Sequence, residues 1–168
     1  MRKLVMLSFV AVMFLGVIQI ANAQQPVKAE QLIGVWSLVE LYYTNAAGTR
    51  IDSMGKDPRG RLRLESDGTF MVVIMARDLP KFKSNNRENG TPEENQAVVK
   101  GSNSYYGTYK VIEAEQVLDM VVEACMFPNF DGVRQLRPFT LTGDLLTFIN
   151  KNSSVAGSVV HQTWKKIK

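Results

Sequence analysis

The sequence predicts an all-β protein in which eight antiparallel strands close into an up-and-down barrel. Two observations support this prediction. Strand-sized segments rich in β-branched and aromatic residues follow one another from residue 34 onward. Turn residues separate most of them, so neighbours in the chain are placed to pair antiparallel. A closed barrel leaves no open strand edge, whereas a two-layer sandwich, the alternative that the pattern leaves open, keeps its edges.

Each predicted strand is bounded by turn residues or by glycine. The first strand begins at Gly34, and the second and third flank the hairpin turn Ser66-Asp67-Gly68. Gly143-Asp144 forms a similar turn between the sixth and seventh strands. The eight predicted strands cover residues 34–44, 60–65, 69–77, 105–112, 116–125, 133–142, 145–150 and 158–167.

One helix is expected between the third and fourth strands, over residues 91–100. Thr91 is a favourable N-cap residue, Pro92 suits the first helical position and Glu94 completes a capping box. Gly101 ends the helix. The polar segment 78–90 before it is long for a barrel connection, which predicts either a lid over a pocket or a solvated cap.

Residues 1–23 have the three parts of a secretory signal peptide. Arg2 and Lys3 form the basic start, residues 4–20 form an apolar stretch, and Ala21-Asn22-Ala23 is a small-x-small cleavage site. The apolar stretch is marginal for a membrane span, which needs roughly 20 residues. The Ala-x-Ala site and the polar Gln24-Gln25-Pro26 directly after it favour cleavage after Ala23 over an uncleaved anchor. We therefore expect residues 24–168 to form one periplasmic or secreted barrel domain with no stable membrane span.

Composition argues against several classes of function. The formal net charge is +4, and Arg2 and Lys3 of the signal peptide supply two of those charges. The remainder is too small to predict binding to nucleic acid or to an anionic membrane. The single histidine, His161, and the single cysteine, Cys125, provide neither a zinc set nor a Cys–His pair. We expect no metal site and no cofactor.

Cys125 is the only cysteine, so no intramolecular disulfide can form. Its neighbours Val121, Val122, Ala124 and Met126 are apolar. They favour a buried and inert thiol over a reactive one.

Several short motifs occur in an order that is typical of one family. These motifs run along nearly all of the chain after the predicted signal peptide. They are Leu32 to Val39 with Gly34 and Trp36, Asp57 to Leu62, Asp67-Gly68, Gly90 to Glu94, Tyr105 to Tyr109, Phe127-Pro128-Asn129, Gln135 with Arg137, Leu141 to Leu146, and Trp164. In this order and spacing the sequence resembles the bacterial lipocalin-like domains, members of the wider calycin group of β-barrels. The resemblance implies a barrel that binds a small molecule, although a few calycin barrels catalyse isomerisation or cyclisation.

The resemblance also implies a role for the first tryptophan. Trp36 would close one end of the barrel, with Lys165 or Lys166 of the last strand stacked over its indole ring. Such domains often carry a histidine where this chain has Met120, and the loss of that histidine weakens an acid–base mechanism borrowed from relatives.

Tyrosines of the fourth predicted strand are candidate lumen residues. Strand alternation sends Tyr105, Gly107 and Tyr109 to one face. The glycine either leaves a gap that a ligand fills or marks a bend in the barrel. Tyrosine combines apolar area with a hydroxyl group, as binding pockets require. We predict that Tyr105 and Tyr109 contact the ligand.

Charged and polar residues within apolar strands are further candidates. Gln135 and Arg137 would anchor the polar part of a ligand, and Arg137 suits a bidentate contact to a carboxylate. Glu123 could pair with Arg137 if both point inward, because a buried unpaired charge is costly. Both faces of these strands are apolar, so alternation leaves open whether these residues face the lumen or solvent.

Together these features predict an exported barrel that binds a small hydrophobic or amphipathic molecule, with Trp36, Tyr105, Tyr109, Gln135 and Arg137 as ligand-binding residues. One alternative is a small isomerase or cyclase in which Glu123 or a tyrosine hydroxyl is the acid or base. Another is a filled barrel that acts as an interaction module. A roomy apolar lumen favours binding, a lumen carboxylate with a raised pKa favours catalysis, and a plugged lumen with an exposed apolar patch favours interaction.

Overall fold

The computed structural model describes residues 25–52, 54–155 and 157–167. The predicted signal peptide, with its cleavage site after Ala23, lies outside these residues. Within them the chain forms the helices α1 (Ala29–Leu32) and α2 (Pro92–Gly101), a 3₁₀ turn (Pro128–Phe130), and the strands β1 (Gly34–Thr44), β2 (Arg50–Ile51), β3 (Arg59–Leu64), β4 (Thr69–Met75), β5 (Ser102–Ile112), β6 (Val117–Cys125), β7 (Arg134–Thr142), β8 (Leu145–Asn150) and β9 (Val159–Lys166).

Strand β1 closes the sheet, because it pairs with β3 on one edge and with β9 on the other. From β3 to β9, each strand pairs antiparallel with its neighbours in chain order. The ring therefore consists of eight strands, β1 and β3 to β9. This arrangement confirms the predicted closed antiparallel barrel and rules out the open sandwich.

The place of the helix among the strands differs from the prediction. Helix α2 follows β4 and not the third strand. The difference arises because Arg50 and Ile51 pair with Thr44 and Tyr43 to form the additional strand β2. A strand of two residues is too short to give a periodicity signal, so sequence pattern could not reveal it.

A capping box begins α2 as its sequence predicts. The Thr91 hydroxyl accepts a hydrogen bond from the Glu94 amide, and Glu94 Oε2 accepts one from the Thr91 amide at 2.9 Å. Glu94 Oε1 also accepts from the Lys83 amide at 3.0 Å. The amides of Lys83 and Thr91 hold the pKa of the Glu94 carboxyl below its usual range. One carboxylate therefore joins segment 78–90 to the start of α2.

One end of the barrel is closed by the segment before β1. The Trp36 indole is fully buried and donates a hydrogen bond to the Leu32 carbonyl at 3.0 Å. Lys166 Nζ lies 5.2 Å from the centre of the Trp36 ring and donates to the Gln31 carbonyl at 2.8 Å. Gly34 has a φ of 135°, which L-residues rarely adopt. It lets the chain turn from α1 into β1.

Inward-facing side chains fill the barrel from this closed end. Strand alternation places them inside, and the rings of Phe148 and Trp164 stack with centroids 6.4 Å apart. The apolar side chains that are fully buried include Leu32, Trp36, Leu62, Leu64, Val72, Leu118, Met120, Leu146 and Trp164. The lumen is therefore a packed core over much of its length and not a roomy channel.

Strands β5 and β6 approach closely at a bulge. Tyr106 pairs with Ala124 and Gly107 with Val122, so Glu123 is the extra residue on β6. A Cβ atom on Gly107 would lie 2.0 Å from the Val121 carbonyl oxygen. The expected gap between the two tyrosines is thus occupied by the β6 backbone, and Gly107 marks a bend.

Candidate functional site

The candidate site is a cavity at the open end of the barrel. Hairpin turns and α1 cover the closed end, whereas α2, the 3₁₀ turn and the connection between β8 and β9 surround the open end. The cavity has a volume of about 340 Å³, which is within the range of small-molecule sites. It is lined by Tyr43, Met54, Val99, Lys100, Ser102, Asn103, Met126, Phe127, Ser154 and Val155. We call it the mouth cavity.

Apolar side chains form much of the wall of the mouth cavity. Val99 on α2, Met126 and Phe127 after β6, and Val155 are all partly exposed, Val99 by 73%. Exposed apolar side chains around a concavity are typical of a binding surface. The end of α2 contributes to this wall, but no residue of segment 78–90 lines the cavity. The segment is positioned as a cap beside α2 and not as a lid over the mouth.

A narrow slot continues from the mouth cavity into the barrel. Its volume is about 30 Å³, and it shares Tyr43, Met54, Asn103 and Ser154 with the mouth cavity. Apolar residues such as Leu41, Ile74 and Val160 line part of it. Its polar residues on β5, β7, β8 and β9 include Tyr105, Gln135, Arg137, Asn150 and Gln162. We call it the polar slot.

Hydrogen bonds connect the side chains of the polar slot. Arg137 Nη1 donates to the Tyr105 hydroxyl at 2.9 Å, and Nη2 donates to Gln135 Oε1 at 2.5 Å. Asn150 Nδ2 donates to the same oxygen at 3.1 Å. The Arg137 guanidinium also lies 5.2 and 5.4 Å from the ring centres of Tyr105 and Phe148. These contacts fix its orientation.

Among the residues that the structure describes, the interior carries one positive charge and no carboxylate that neutralises it. Arg137 is 2% exposed and forms no ion pair with any residue that the structure describes. Among those residues Glu94 is the only buried acid, and it caps α2. Two N–H groups in the slot, Arg137 Nε and Gln135 Nε2, have no hydrogen-bond acceptor in the described part of the chain.

The predicted ligand-binding residues fall into two groups. Tyr105, Gln135 and Arg137 meet in the polar slot. Trp36 lies at the closed end. Tyr109 also lies there, because its hydroxyl donates to the Glu65 carbonyl at 2.9 Å in the hairpin between β3 and β4. Burial raises the pKa of Tyr109. The structure thus places Tyr105 in the polar slot and Tyr109 at the closed end.

Glu123 does not approach the cavity. It is exposed on the outer wall as the bulge residue of β6. The pairing with Arg137, considered for the case that both residues point inward, does not occur, because the two side chains lie on opposite sides of the barrel wall. The position of Glu123 gives no support to its role as an acid or base acting on a ligand in the lumen.

Two buried polar residues of the slot were not predicted. Asn150 and Gln162 are both 6% exposed and lie on the inward faces of β8 and β9. Their spacing offered a signal, because Asn150 follows the buried Leu146 and Phe148 at intervals of two residues. The same alternation places Gln162 between Val160 and Trp164.

Cys125 is a free thiol of intermediate exposure at the end of β6, where it lines a groove on the outer wall. Its sulfur donates to Asn103 Oδ1 at 3.6 Å and accepts from the Phe127 amide at 3.3 Å. Burial is the main cause that raises the pKa of this thiol. The group is therefore mostly protonated at neutral pH and a weak nucleophile.

Within the described parts of the chain, no group of three or more His, Cys, Asp or Glu side chains is arranged to hold a metal ion. In the same residues, no helix has the length and apolar character needed to cross a membrane.

Comparison with solved structures gives a remote match. One chain, described as a REP1-NXSQ fatty acid transporter, is 11% identical, with 83% of this chain and 98% of that chain covered and a TM-score of 0.39. No curated protein matches the sequence significantly.

A family model gives a match over most of the chain. The model described as a lipocalin-like domain covers residues 33–167, which include every strand of the barrel. This extent agrees with the closed ring of β1 and β3 to β9. The protein therefore belongs to the lipocalin-like domain family.

Proposed function

We propose that this protein is an exported barrel that reversibly binds a small, largely apolar molecule at its open end. The observation that carries the proposal is the mouth cavity of about 340 Å³, which has partly exposed apolar walls and continues into the polar slot. The packed closed end supports the choice of this cavity over the inner part of the barrel. The predicted signal peptide supports the exported location.

Binding of the neutral apolar dye N-phenyl-1-naphthylamine tests the proposal. Its fluorescence rises on transfer from water to an apolar site, so a titration gives a dissociation constant. The test variant is the double substitution Val99→Asp with Val155→Asp, which places charges on two walls of the mouth cavity. We expect about tenfold weaker binding, because each valine contributes part of the roughly 1.5–3 kcal/mol of a buried apolar side chain.

The matched control places the same charges elsewhere on the surface. Val39 and Leu136 are 52% and 50% exposed and do not line the mouth cavity. The double variant Val39→Asp with Leu136→Asp should bind the dye as the wild type does. Absence of saturable binding to the wild type, or equal weakening in both double variants, would contradict a site at the mouth.

The identity of the natural ligand requires a second experiment. Protein purified from its native host is extracted with organic solvent, and the extract is analysed by mass spectrometry. A defined molecule in near-stoichiometric amount, depleted in the Val99→Asp, Val155→Asp variant, would name the ligand class. An equal amount in that variant would place the molecule outside the mouth cavity.

A groove on the outer wall favours a second candidate function, a surface interaction. It has a volume of about 300 Å³ and is lined by apolar side chains of β4, β5 and β6, among them Met71, Tyr106 and Met126. These three side chains are 54%, 48% and 53% exposed. Sedimentation over a range of concentrations tests self-association through this groove. Dimers that disappear in a Met71→Asp variant would support the interaction function, and a monomer at all concentrations would contradict self-association.

A further inference from the structure

The charge balance of the polar slot is incomplete without an anion. Arg137 is 2% exposed, and a buried guanidinium without an ionic partner is costly. The rings of Tyr105 and Phe148 and the hydroxyl of Tyr105 offer only dipoles and π-electrons. No carboxylate among the described residues reaches the guanidinium.

Hydrogen bonding in the slot is incomplete in the same place. Arg137 Nε and Gln135 Nε2 are buried donors with no acceptor among the described residues. Their side chains are 2% and 1% exposed, and both line the slot. Buried donors are almost always satisfied in native proteins, so two adjacent exceptions indicate a group that accepts from both.

From these observations we infer that the polar slot binds the carboxylate of an amphipathic monocarboxylic acid, whose apolar part lies in the mouth cavity. This inference rests on the proposed function and narrows its ligand class. The carboxylate supplies one negative charge against Arg137 and two acceptor oxygens for the two free donors. The apolar walls of Met54, Phe127 and Val155 then cover the remainder of the ligand.

The slot suits a carboxylate better than other polar head groups. A hydroxyl group accepts hydrogen bonds but leaves the charge of Arg137 uncompensated. A phosphate dianion brings a second negative charge for which the slot has no cation. A volume of about 30 Å³ also favours a small head group over a larger one.

Calorimetric titration at neutral pH with three probes of equal chain length tests this inference. The probes are octanoate, octan-1-ol and octyl sulfate. We expect octanoate to bind about ten- to a hundredfold more tightly than octan-1-ol, as a charge-assisted hydrogen-bonded contact provides. Octyl sulfate has the same charge on a larger tetrahedral head and should bind more weakly than octanoate. Equal or tighter binding of octyl sulfate would overturn the carboxylate assignment.

The decisive variant is Arg137→Met, with Arg59→Met as control because Arg59 is exposed on β3. In Arg137→Met the preference for octanoate over octan-1-ol should disappear, while the affinity for octan-1-ol changes by less than about threefold. The control should keep the full preference. An unchanged preference in Arg137→Met would overturn the inference and leave the proposed function intact. Failure of the wild type to bind any of the three probes would contradict both.

Thermal unfolding of the unliganded variants separates a ligand role from a structural role. Replacement of a buried uncompensated charge by an apolar side chain of similar size is neutral or stabilising. The Tm of Arg137→Met should therefore equal or exceed that of the wild type. A large fall in Tm would show that Arg137 serves the packing of the barrel, and would overturn the inference. The conservative variant Arg137→Lys keeps the charge but has no Nε donor, and should retain only part of the octanoate preference.

Discussion

At the scale of single residues, Gly107 shows how a neighbouring backbone determines which residue type a position can hold. It lies between Tyr105 and Tyr109 on the inner face of β5, where a larger residue would meet the β6 backbone. The obstacle is the Val121 carbonyl oxygen, 2.0 Å from the position of a Cβ atom. A backbone atom within a strand ladder cannot turn aside as a side chain can, so only glycine fits without displacing a strand.

The substitution Gly107→Ala should therefore destabilise the fold. We expect a loss of about 3 kcal/mol in the free energy of unfolding, at the upper end of typical overpacking costs. The control is Gly101→Ala, where the Cβ would meet the flexible end of the Leu79 side chain at 2.7 Å. Urea denaturation of the two variants measures the difference. Equal losses at the two positions would contradict the distinction between backbone and side-chain obstacles.

At the scale of elements, the start of α2 links the helix to the long segment before it. Glu94 accepts hydrogen bonds from two backbone amides, one in the capping box and one at Lys83. Because these amides favour the charged form, the folded-state pKa of Glu94 is lower than that of the unfolded chain. The carboxylate therefore stabilises the folded state above the unfolded pKa, and this contribution is lost as the pH falls through the folded pKa.

Hydrogen exchange of the Lys83 amide checks this coupling. In the wild type its protection should fall as the pH is lowered below about 4, near the ordinary pKa of glutamate. In Glu94→Gln the amide should be less protected at neutral pH and lose little more on acidification. The control Glu88→Gln alters an exposed acid of the same segment and should behave as the wild type. Wild-type-like protection in Glu94→Gln would contradict the proposed link.

At the scale of the whole molecule, the two ends of the barrel differ in packing, and the proposed ligand site lies at one of them. Trp36, Trp164 and Tyr109 belong to the packed, closed end, whereas Tyr105 and Arg137 lie toward the open end. The two tyrosines are on one strand and share one face, but they are four residues apart, which is more than 10 Å along a strand. A change at the closed end should therefore alter stability without altering the ligand site.

The variant Tyr109→Phe tests this separation. It removes the hydroxyl that donates to the Glu65 carbonyl, and we expect a loss of about 1 kcal/mol in the free energy of unfolding. The affinity for N-phenyl-1-naphthylamine should stay within about twofold of the wild-type value. Thermal unfolding and the dye titration measure the two quantities on the same sample. A clear fall in affinity would show that the ligand extends to the closed end.

Much of the fold could be predicted because its signals are local. Turn residues such as Asp67-Gly68 and the capping box of Thr91 and Glu94 act within a few residues, and the strand bounds follow from them. The bulge at Glu123 and the strand β2 depend on pairing with distant strands, so no short pattern reports them. For the same reason, the sequence identifies Arg137 as a candidate but does not decide whether its side chain faces the lumen or solvent.

Both ends of the described chain emerge at the closed end of the barrel. Before β1, the Val27 amide donates to Gln116 Oε1 at 3.0 Å, in the turn between β5 and β6. After β9, the Ile167 amide donates to the Val35 carbonyl at 2.8 Å. A fusion partner, affinity tag or surface tether joined directly before Val27 or after Ile167 would thus meet the barrel at the face opposite the mouth. A barrel immobilised through either of these two positions would have its mouth directed toward the surrounding solution.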